Sequence, residues 1–129
     1  MRFVVDASAF YRLLGNPLKA SEILLDSMVL DLTLYELGNV VWLGYRRGLV
    51  RDYGRTVALL RDLFSLARLL RIRVEDVDGI MAKAVELGLT YYDASYVYYA
   101  EKYGVRVLTA DKELLAKAGD LSVDLGEVL

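Results

Sequence analysis

The chain has 129 residues, of which 56% are hydrophobic and 26% charged, and its net charge at pH 7 is −2. This length fits a single domain over residues 1–129, and so apolar a composition excludes a disordered chain. Neither Cys nor His occurs, which excludes disulfides, zinc fingers, thiolate nucleophiles and Ser-His-Asp triads. Catalysis would therefore use carboxylates, hydroxyls, amines or a bound metal ion.

Five short apolar segments alternate with longer helical patterns. The predicted strands are Phe3–Val5, Val29–Leu32, Ile72–Val74, Val105–Leu108 and Leu121–Leu125. Apolar spacings of three or four predict helices over Leu18–Asp26, Leu34–Arg47, Asp52–Leu70, Val77–Leu87, Tyr91–Tyr103 and Lys112–Lys117. The glycines expected to end helices are Gly48, Gly88, Gly104 and Gly119. Strands separated by helical crossovers predict a three-layer α/β/α domain with a five-stranded parallel sheet.

The sequence favours a cytoplasmic protein. Its longest charge-free run, Leu37 to Tyr45, is far shorter than the roughly 18 apolar residues that a membrane span needs. The amino terminus reaches Asp6 after only three apolar residues, unlike a signal peptide. The absence of Gln and the excess of Arg over Lys weakly indicate a thermophilic source.

Positive charge is concentrated in one stretch. Residues 46–73 contain eight arginines and two acids, so this stretch carries +6 and the rest of the chain −8. Two interpretations stay open: a solvated helix face, or an electrostatic footprint for nucleic-acid phosphates beside an acidic pocket. On the second interpretation, the residues expected to hold flanking RNA phosphates are Arg46, Arg47, Arg51 and Arg55.

Four acids stand where ligand-binding residues are expected in a parallel sheet. Asp6 follows the first predicted strand and Asp111 the fourth, while Glu36 and Asp93 each come three residues after a threonine that would begin a helix. Ligands of such sheets bind outside the carboxyl ends of the strands. If both helices begin at that edge, all four carboxylates converge there.

Each acid also has a purely structural interpretation. Glu36 would complete a capping box with Thr33, and Asp93 would lie at the positive end of its helix dipole. Asp111 would be a helix N-cap, and Asp6 would start a turn. Converging carboxylates, however, repel at about 1 kcal/mol per pair at 4 Å even in water, so a fold that gathers four needs a cation. Oxygen ligands favour a hard ion, Mg²⁺ or Mn²⁺.

Other polar and aromatic side chains are candidates for supporting roles. Ser8, Thr109 and Asn39 each stand two or three residues from one of the acids, where they would orient a carboxylate or merely bond the local backbone. A stripe of tyrosines has helical spacing, which favours packing against a core or partner over base stacking; its members are Tyr92, Tyr96, Tyr99 and Tyr103. Trp42 is interpreted as a packing residue.

The ordered set of acidic motifs resembles the PIN-domain family, and within it the toxin subunits of VapBC toxin–antitoxin pairs. The matching segments are Val4-Val5-Asp6-Ala7-Ser8-Ala9, Glu36-Leu37-Gly38-Asn39, Thr90-Tyr91-Tyr92-Asp93-Ala94-Ser95-Tyr96 and Leu108-Thr109-Ala110-Asp111-Lys112. They occur in the family's order and span nearly the whole chain. The ordered set of four segments carries the resemblance.

The resemblance implies a fold, a site and an activity. The strand order would be 3-2-1-4-5. The catalytic metal ligands would be Asp6, Glu36, Asp93 and Asp111, with Ser8, Asn39 and Thr109 in support. The protein would be an Mg²⁺- or Mn²⁺-dependent ribonuclease that hydrolyses RNA phosphodiester bonds. As a toxin it would form a homodimer and be silenced by an antitoxin protein covering the acidic groove.

Other functions stay open at this point. The chain would equally suit a housekeeping RNA-processing nuclease, or an inactive module that binds RNA or an antitoxin. A phosphatase of the haloacid dehalogenase type fits poorly, because it needs a second Asp where this chain has Ser8. A receiver-like domain fits poorly as well, because Asp6 has no acidic neighbour at the end of the first strand.

Overall fold

A computed structural model describes all 129 residues and contains one parallel sheet. Its strands are β1 (Phe3–Val5), β2 (Ser27–Leu30), β3 (Arg68–Leu70), β4 (Arg106–Thr109) and β5 (Ser122–Asp124). They lie in the order β3-β2-β1-β4-β5, and every neighbouring pair is parallel. The five-stranded parallel sheet predicted from the sequence is confirmed.

Seven helices cover the two faces of the sheet. They are α1 (Ala7–Leu13), α2 (Pro17–Leu24), α3 (Asp31–Arg46), α4 (Tyr53–Phe64), α5 (Val77–Leu87), α6 (Tyr91–Lys102) and α7 (Lys112–Ala118). Helices α1 to α4 pack on one face around a core that includes Phe10, and α5 to α7 pack on the other around a core that includes Tyr96. The three-layer α/β/α architecture is therefore confirmed, with β1 buried on both faces as parallel strands usually are.

The third strand lies earlier than the sequence indicates. It is Arg68–Leu70 rather than Ile72–Val74, and α4 ends at Phe64 instead of continuing to Leu70. A tight turn stops the helix, because the Ser65 hydroxyl donates to the Asp62 carbonyl oxygen at 2.8 Å and the Ala67 amide to the Phe64 carbonyl oxygen at 3.2 Å. The apolar spacing that continues beyond this turn belongs to the edge strand.

Two smaller boundaries also differ from the prediction. Helix α1 is absent from the sequence-based assignment, although its apolar residues pack into the core. Helix α3 begins at Asp31, directly after β2, and not near Leu34. The glycines predicted to end helices all adopt positive φ; at Gly88, which ends α5, φ is +67° and the amide donates to the Ala84 carbonyl oxygen. None of the helices has the length and hydropathy needed to cross a membrane.

Alanine substitutions at two helix glycines, Gly79 and Gly38, are expected to change the stability in opposite directions. A Cβ at Gly79 of α5 would lie 2.5 Å from Cε1 of Tyr98, whose hydroxyl is held by Asp76, whereas a Cβ at Gly38 of α3 would meet nothing within 4 Å. We expect Gly79→Ala to lower the free energy of unfolding by about 1–2 kcal/mol through overpacking. Gly38→Ala should raise it by roughly 0.5–1 kcal/mol through helix propensity.

Urea denaturation of the two variants beside the unchanged chain checks this pair. Equal shifts at both positions would show that α5 and α6 do not pack as closely as described.

Candidate active site

Asp6 is the buried centre of the site. It follows β1, caps the amino end of α1, and is only 4% exposed. One carboxylate oxygen, Oδ1, accepts hydrogen bonds from the Ser8 hydroxyl at 2.7 Å and from the Ala9 amide at 2.9 Å, and Oδ2 accepts from the Thr109 hydroxyl. These donors compensate for the water that burial removes from the carboxylate.

The two hydroxyls join the ends of β1 and β4. Ser8 and Thr109 are neighbours, with their oxygens 3.1 Å apart, although 101 residues separate them in sequence. The Ser8 oxygen accepts from the Ala110 amide at 2.9 Å, and the Thr109 oxygen accepts from the Asp111 amide at 3.0 Å. Ser8 and Thr109, two of the three residues predicted to support the acids, therefore fix Asp6 and the start of the Asp111 loop in one network.

Asp93 and Asp111 stand at the beginnings of two helices. Asp111 is the N-cap of α7 and accepts from the Glu113 amide at 2.9 Å. Asp93 lies in the first turn of α6, where its amide donates to the Thr90 hydroxyl at 3.1 Å. Both side chains are half-buried. The capping role predicted for Asp111 is confirmed, and it leaves one oxygen of that carboxylate outside the cap.

Glu36 is held by a tyrosine, not by the predicted capping box. Thr33 lies inside α3 and is fully buried, so it caps nothing. Its hydroxyl lies 2.9 Å from that of Tyr96, which donates to Oε1 of Glu36 at 2.5 Å. Sequence reasoning placed Tyr96 among packing residues. The available signal was its position three residues after Asp93, which puts both on one side of α6.

The four acids lie in one another's electric field. Burial raises the pKa of Asp93, and the charges of Asp111 and Glu36 raise it further. Burial likewise raises the pKa of Asp6 to about 6 against the lowering effect of its three hydrogen bonds, and the Asp93 charge adds to the rise. None of the four acids forms a salt bridge. Their negative charge at this edge of the sheet is uncompensated by any ion pair.

The chemistry of this donor set suits a hard divalent cation, but the side chains do not form a finished coordination site. The donors are carboxylate and hydroxyl oxygens, without any nitrogen or sulfur ligand, which is the set that Mg²⁺ and Mn²⁺ prefer. As the side chains stand, no group of three or more acidic residues is arranged so that it could hold a metal ion. The structure thus supplies the charge and the ligand type for a cation.

The other predicted site residues form no side-chain hydrogen bond or ion pair with these acids. Asn39 is exposed and its side chain makes no hydrogen bond, whereas Glu36 accepts one from Tyr96. Arg46 is ten residues along α3 from Glu36, about 15 Å at the rise of an α-helix. Further exposed arginines line a groove of about 730 Å³ beside the end of α1. That groove is lined in part by Arg12, Arg51 and Arg55.

None of the predicted RNA-contacting arginines forms an ion pair with the four acids, and Arg47 is an exposed residue at the end of α3. The expected position of these residues beside the acidic groove stays a prediction, and Arg46 is the last residue of α3. The interaction of any of them with RNA stays a prediction.

The predicted aromatic residues divide between core and surface. Tyr96 and Tyr99 are buried, whereas Tyr92 is 60% exposed and Tyr103 is 42% exposed. Trp42 is 56% exposed and packs in a surface groove between α3 and α4, with the Arg46 guanidinium 5.7 Å from its ring centroid. Trp42 therefore packs at the surface and is not part of the core.

Comparison with known proteins agrees with this fold and its acidic edge. The family model described as the PIN domain matches residues 3–120. The chain belongs to the PIN-domain family. A Pyrobaculum aerophilum protein named Exonuclease VapC9 is 40% identical to this PIN domain over 119 residues, which are 91% of this chain and 86% of that protein. Ribonuclease VapC3 of the same organism is 36% identical over 125 residues, covering 91% of this chain and 95% of that protein.

Solved structures share the architecture of this PIN domain. The crystal structure of PAE2754 from Pyrobaculum aerophilum superposes with a TM-score of 0.87 at 36% identity and covers 99% of this chain and 93% of that one. A chain of a toxin–antitoxin complex from Klebsiella pneumoniae has a TM-score of 0.66 at 17% identity, covering 95% and 97% of the two chains. At that identity the second likeness concerns the fold alone.

The elevated pKa of Asp6 makes this PIN domain less stable as its carboxyl group ionises. The native state holds the proton up to about pH 6, against 3.8 for the ordinary carboxyl group. The protonated Asp6 therefore stabilises the folded state fully below pH 3.8, and this contribution is lost as the pH rises through about 6. From pH 4 to 7.5 in EDTA, we expect the unfolding free energy of the unchanged protein to fall by about 2 kcal/mol relative to Asp6→Asn.

Urea denaturation at the two pH values measures this difference. Asp120→Asn, which removes an exposed carboxylate, controls for the loss of one charge. A difference between Asp6→Asn and the unchanged protein that does not vary with pH would contradict the elevated pKa.

The contact between Thr33 and Tyr96 should appear as an energetic coupling. Tyr96→Phe leaves the buried Thr33 hydroxyl without its partner, which costs about 1–3 kcal/mol of unfolding free energy. Adding Thr33→Val removes the stranded hydroxyl, so the double variant should recover part of the loss. A double-mutant cycle by urea denaturation measures the coupling; strictly additive effects would show that the two hydroxyls do not interact.

Proposed function

We propose that this PIN domain is a metal-dependent endoribonuclease that hydrolyses RNA phosphodiester bonds and acts as the toxin of a toxin–antitoxin pair. The observation that carries the proposal is the gathering of Asp6, Glu36, Asp93 and Asp111 at one edge of the sheet, in mutual repulsion and without ion pairs. A bound cation would relieve this cost. The names of two relatives, Exonuclease VapC9 and Ribonuclease VapC3, support a nuclease.

The four carboxylates would hold Mg²⁺ or Mn²⁺. When bound, such an ion would lower the pKa of a water molecule. It would also bring positive charge to a phosphodiester, and no histidine is required. Coordination calls for ionised carboxylates, which Asp6 satisfies above about pH 6. The three donors to Asp6 stabilise its ionised form and fix its orientation. Binding of the ion would therefore reduce the repulsion between these acids and an RNA phosphate.

Side chains of the protein position the remaining groups. Tyr96 holds one oxygen of Glu36 and leaves the other free. Burial and the nearby charge of Glu36 raise the pKa of Tyr96, so it stays a hydrogen-bond donor throughout the neutral range. Asp111 gives one oxygen to the helix cap, and its other oxygen would be available to the ion. We infer that these restraints hold the acids ready to close on a cation.

The toxin role implies further partners. We propose a cytoplasmic homodimer whose antitoxin protein covers the acidic edge. The exposed aromatic groove between α3 and α4, which includes Trp42, Tyr45 and Tyr53, provides apolar surface for an interface. Growth arrest on expression, relieved by the product of a neighbouring gene, would support the toxin over a housekeeping nuclease. An unaffected culture would favour the housekeeping role.

A second candidate activity is exonuclease cleavage, which the name of the relative that is 40% identical favours. A circular RNA separates the two activities, because only an endonuclease opens a circle. Cleavage of circular and linear RNA in Mn²⁺, and of neither in EDTA, would support the endonuclease. Cleavage of the linear RNA alone would favour the exonuclease, and no cleavage of either would favour a module that binds RNA or an antitoxin.

One pair of substitutions separates a catalytic carboxylate from a capping carboxylate. Asp111 and Asp52 are both N-caps, accepting amide hydrogen bonds at 2.9 and 3.1 Å, and only Asp111 lies among the acids of the site. Asparagine preserves an N-cap. We expect Asp111→Asn to lose at least roughly a hundredfold in Mn²⁺-dependent RNA cleavage while its metal-free melting temperature is kept. Asp52→Asn should retain both, as measured by gel assay and thermal denaturation.

Full RNA cleavage by Asp111→Asn would contradict the proposed catalytic role of Asp111. Loss of cleavage accompanied by a large fall in melting temperature would instead indicate a structural role for this carboxylate.

A further inference from the structure

A basic pocket on the outer edge of the sheet has the opposite charge to the acidic site. It is an open cavity of about 400 Å³ lined by β3, the residues that follow β3, and the last part of α6. Strand β3 pairs only with β2, so its other edge is unpaired. The cationic residues of the pocket are Arg68, Arg71, Arg73 and Lys102. A chain of net charge −2 thus concentrates four cations in one place.

Two of these cations are free of carboxylate partners. Arg73 pairs with Glu75 at 2.8 Å, and Lys102 pairs with the buried Asp76 at 3.4 Å. Arg68 and Arg71 are exposed and form neither salt bridges nor side-chain hydrogen bonds. Their guanidinium groups are available for a ligand, and guanidinium forks match the geometry of phosphate oxygens.

The pocket is built from fixed elements. The hydroxyl of Tyr99 donates to Oδ2 of Asp76 at 2.7 Å and accepts from the Arg73 amide at 3.1 Å, which holds the segment after β3 against α6. The guanidinium of Arg68 lies over the ring of Tyr103, 5.9 Å from its centroid. Residues 68–73 extend over about 17 Å if each advances as in a strand. Arg68, Arg71 and Arg73 all line this pocket, so they form a row of cations along the edge.

This row adjoins the acidic site through α6. The helix carries Asp93 in its first turn and Tyr99 six residues later, about 9 Å along its axis. The Ile72 amide also donates to Oδ1 of Asp31 at 3.3 Å, so the arginine segment is tied to the start of the helix that carries Glu36.

We propose that the β3-edge pocket binds phosphates of the RNA strand that flank the cleavage position, with Arg68 and Arg71 as the principal contacts. The inference rests on the proposed nuclease function and names a part of its substrate-binding surface. An acidic edge alone repels a polyanion, and a basic row one helix away holds the strand while the acids act. The known use of edge-strand charges, to prevent strand pairing between molecules, is the competing explanation.

The test measures RNA binding separately from cleavage. A 5′-fluorescein ten-nucleotide RNA is titrated in EDTA, by fluorescence anisotropy at several salt concentrations. Arg68→Gln/Arg71→Gln should weaken binding at 0.1 M salt by roughly ten- to thirtyfold and reduce the salt slope by about 1.4, since each single-strand phosphate contact contributes about 0.7. Arg61→Gln/Arg106→Gln removes two exposed arginines elsewhere and should bind like the unchanged protein.

The outcomes are distinct from those that test the nuclease. An unchanged affinity and salt slope in Arg68→Gln/Arg71→Gln overturns the pocket assignment, even if the protein cleaves RNA. Aggregation of that variant with unchanged RNA affinity overturns it in favour of edge protection. A greater loss of affinity for polyglutamate of equal charge than for RNA overturns it in favour of an acidic protein segment. A protein that cleaves nothing, yet shows the expected loss of RNA binding, refutes the nuclease and retains the pocket.

Discussion

The hydrogen-bond network around Asp6 determines how the rest of the site is arranged. A carboxylate that is 4% exposed, with no ion pair, stays compatible with folding because two hydroxyls and one amide donate to it. Those donors come from the start of α1 and from the end of β4, so satisfying one charge also fixes two strand ends. The neighbouring loop then presents Asp111 at the same edge.

Much of the site could be predicted from local sequence. Asp6 and Asp111 follow short apolar strands, and parallel strands place such residues at one edge. Thr90 and Asp93 form a local helix start that the pattern also indicates. The alternation of strands and helices is likewise a short-range signal, and it specified the layers correctly.

The remaining features depend on contacts between distant residues. The Tyr96 hydroxyl donates to Glu36, which lies 60 residues away in sequence. Thr33, which the sequence pattern indicates as a helix cap, instead forms a buried hydrogen bond with Tyr96. The position of β3 depends on its register against β2, whereas the apolar spacing of that region fits a continued helix equally well. The arginine-rich stretch is visible in the sequence. Only the fold shows that some of its arginines lie on α3 and others on the edge of the sheet.

The hydrogen atoms of the Ser8 and Thr109 hydroxyls depend on the charge of Asp6 for their direction. Ser8 and Thr109 possess one hydroxyl hydrogen each, and both point at the carboxylate, so the 3.1 Å contact between their oxygens has lone pairs on each side. When the acid gains a hydrogen, it becomes a donor to one of them, which can then rotate toward the other. The orientation of this trio therefore records whether its central group is ionised.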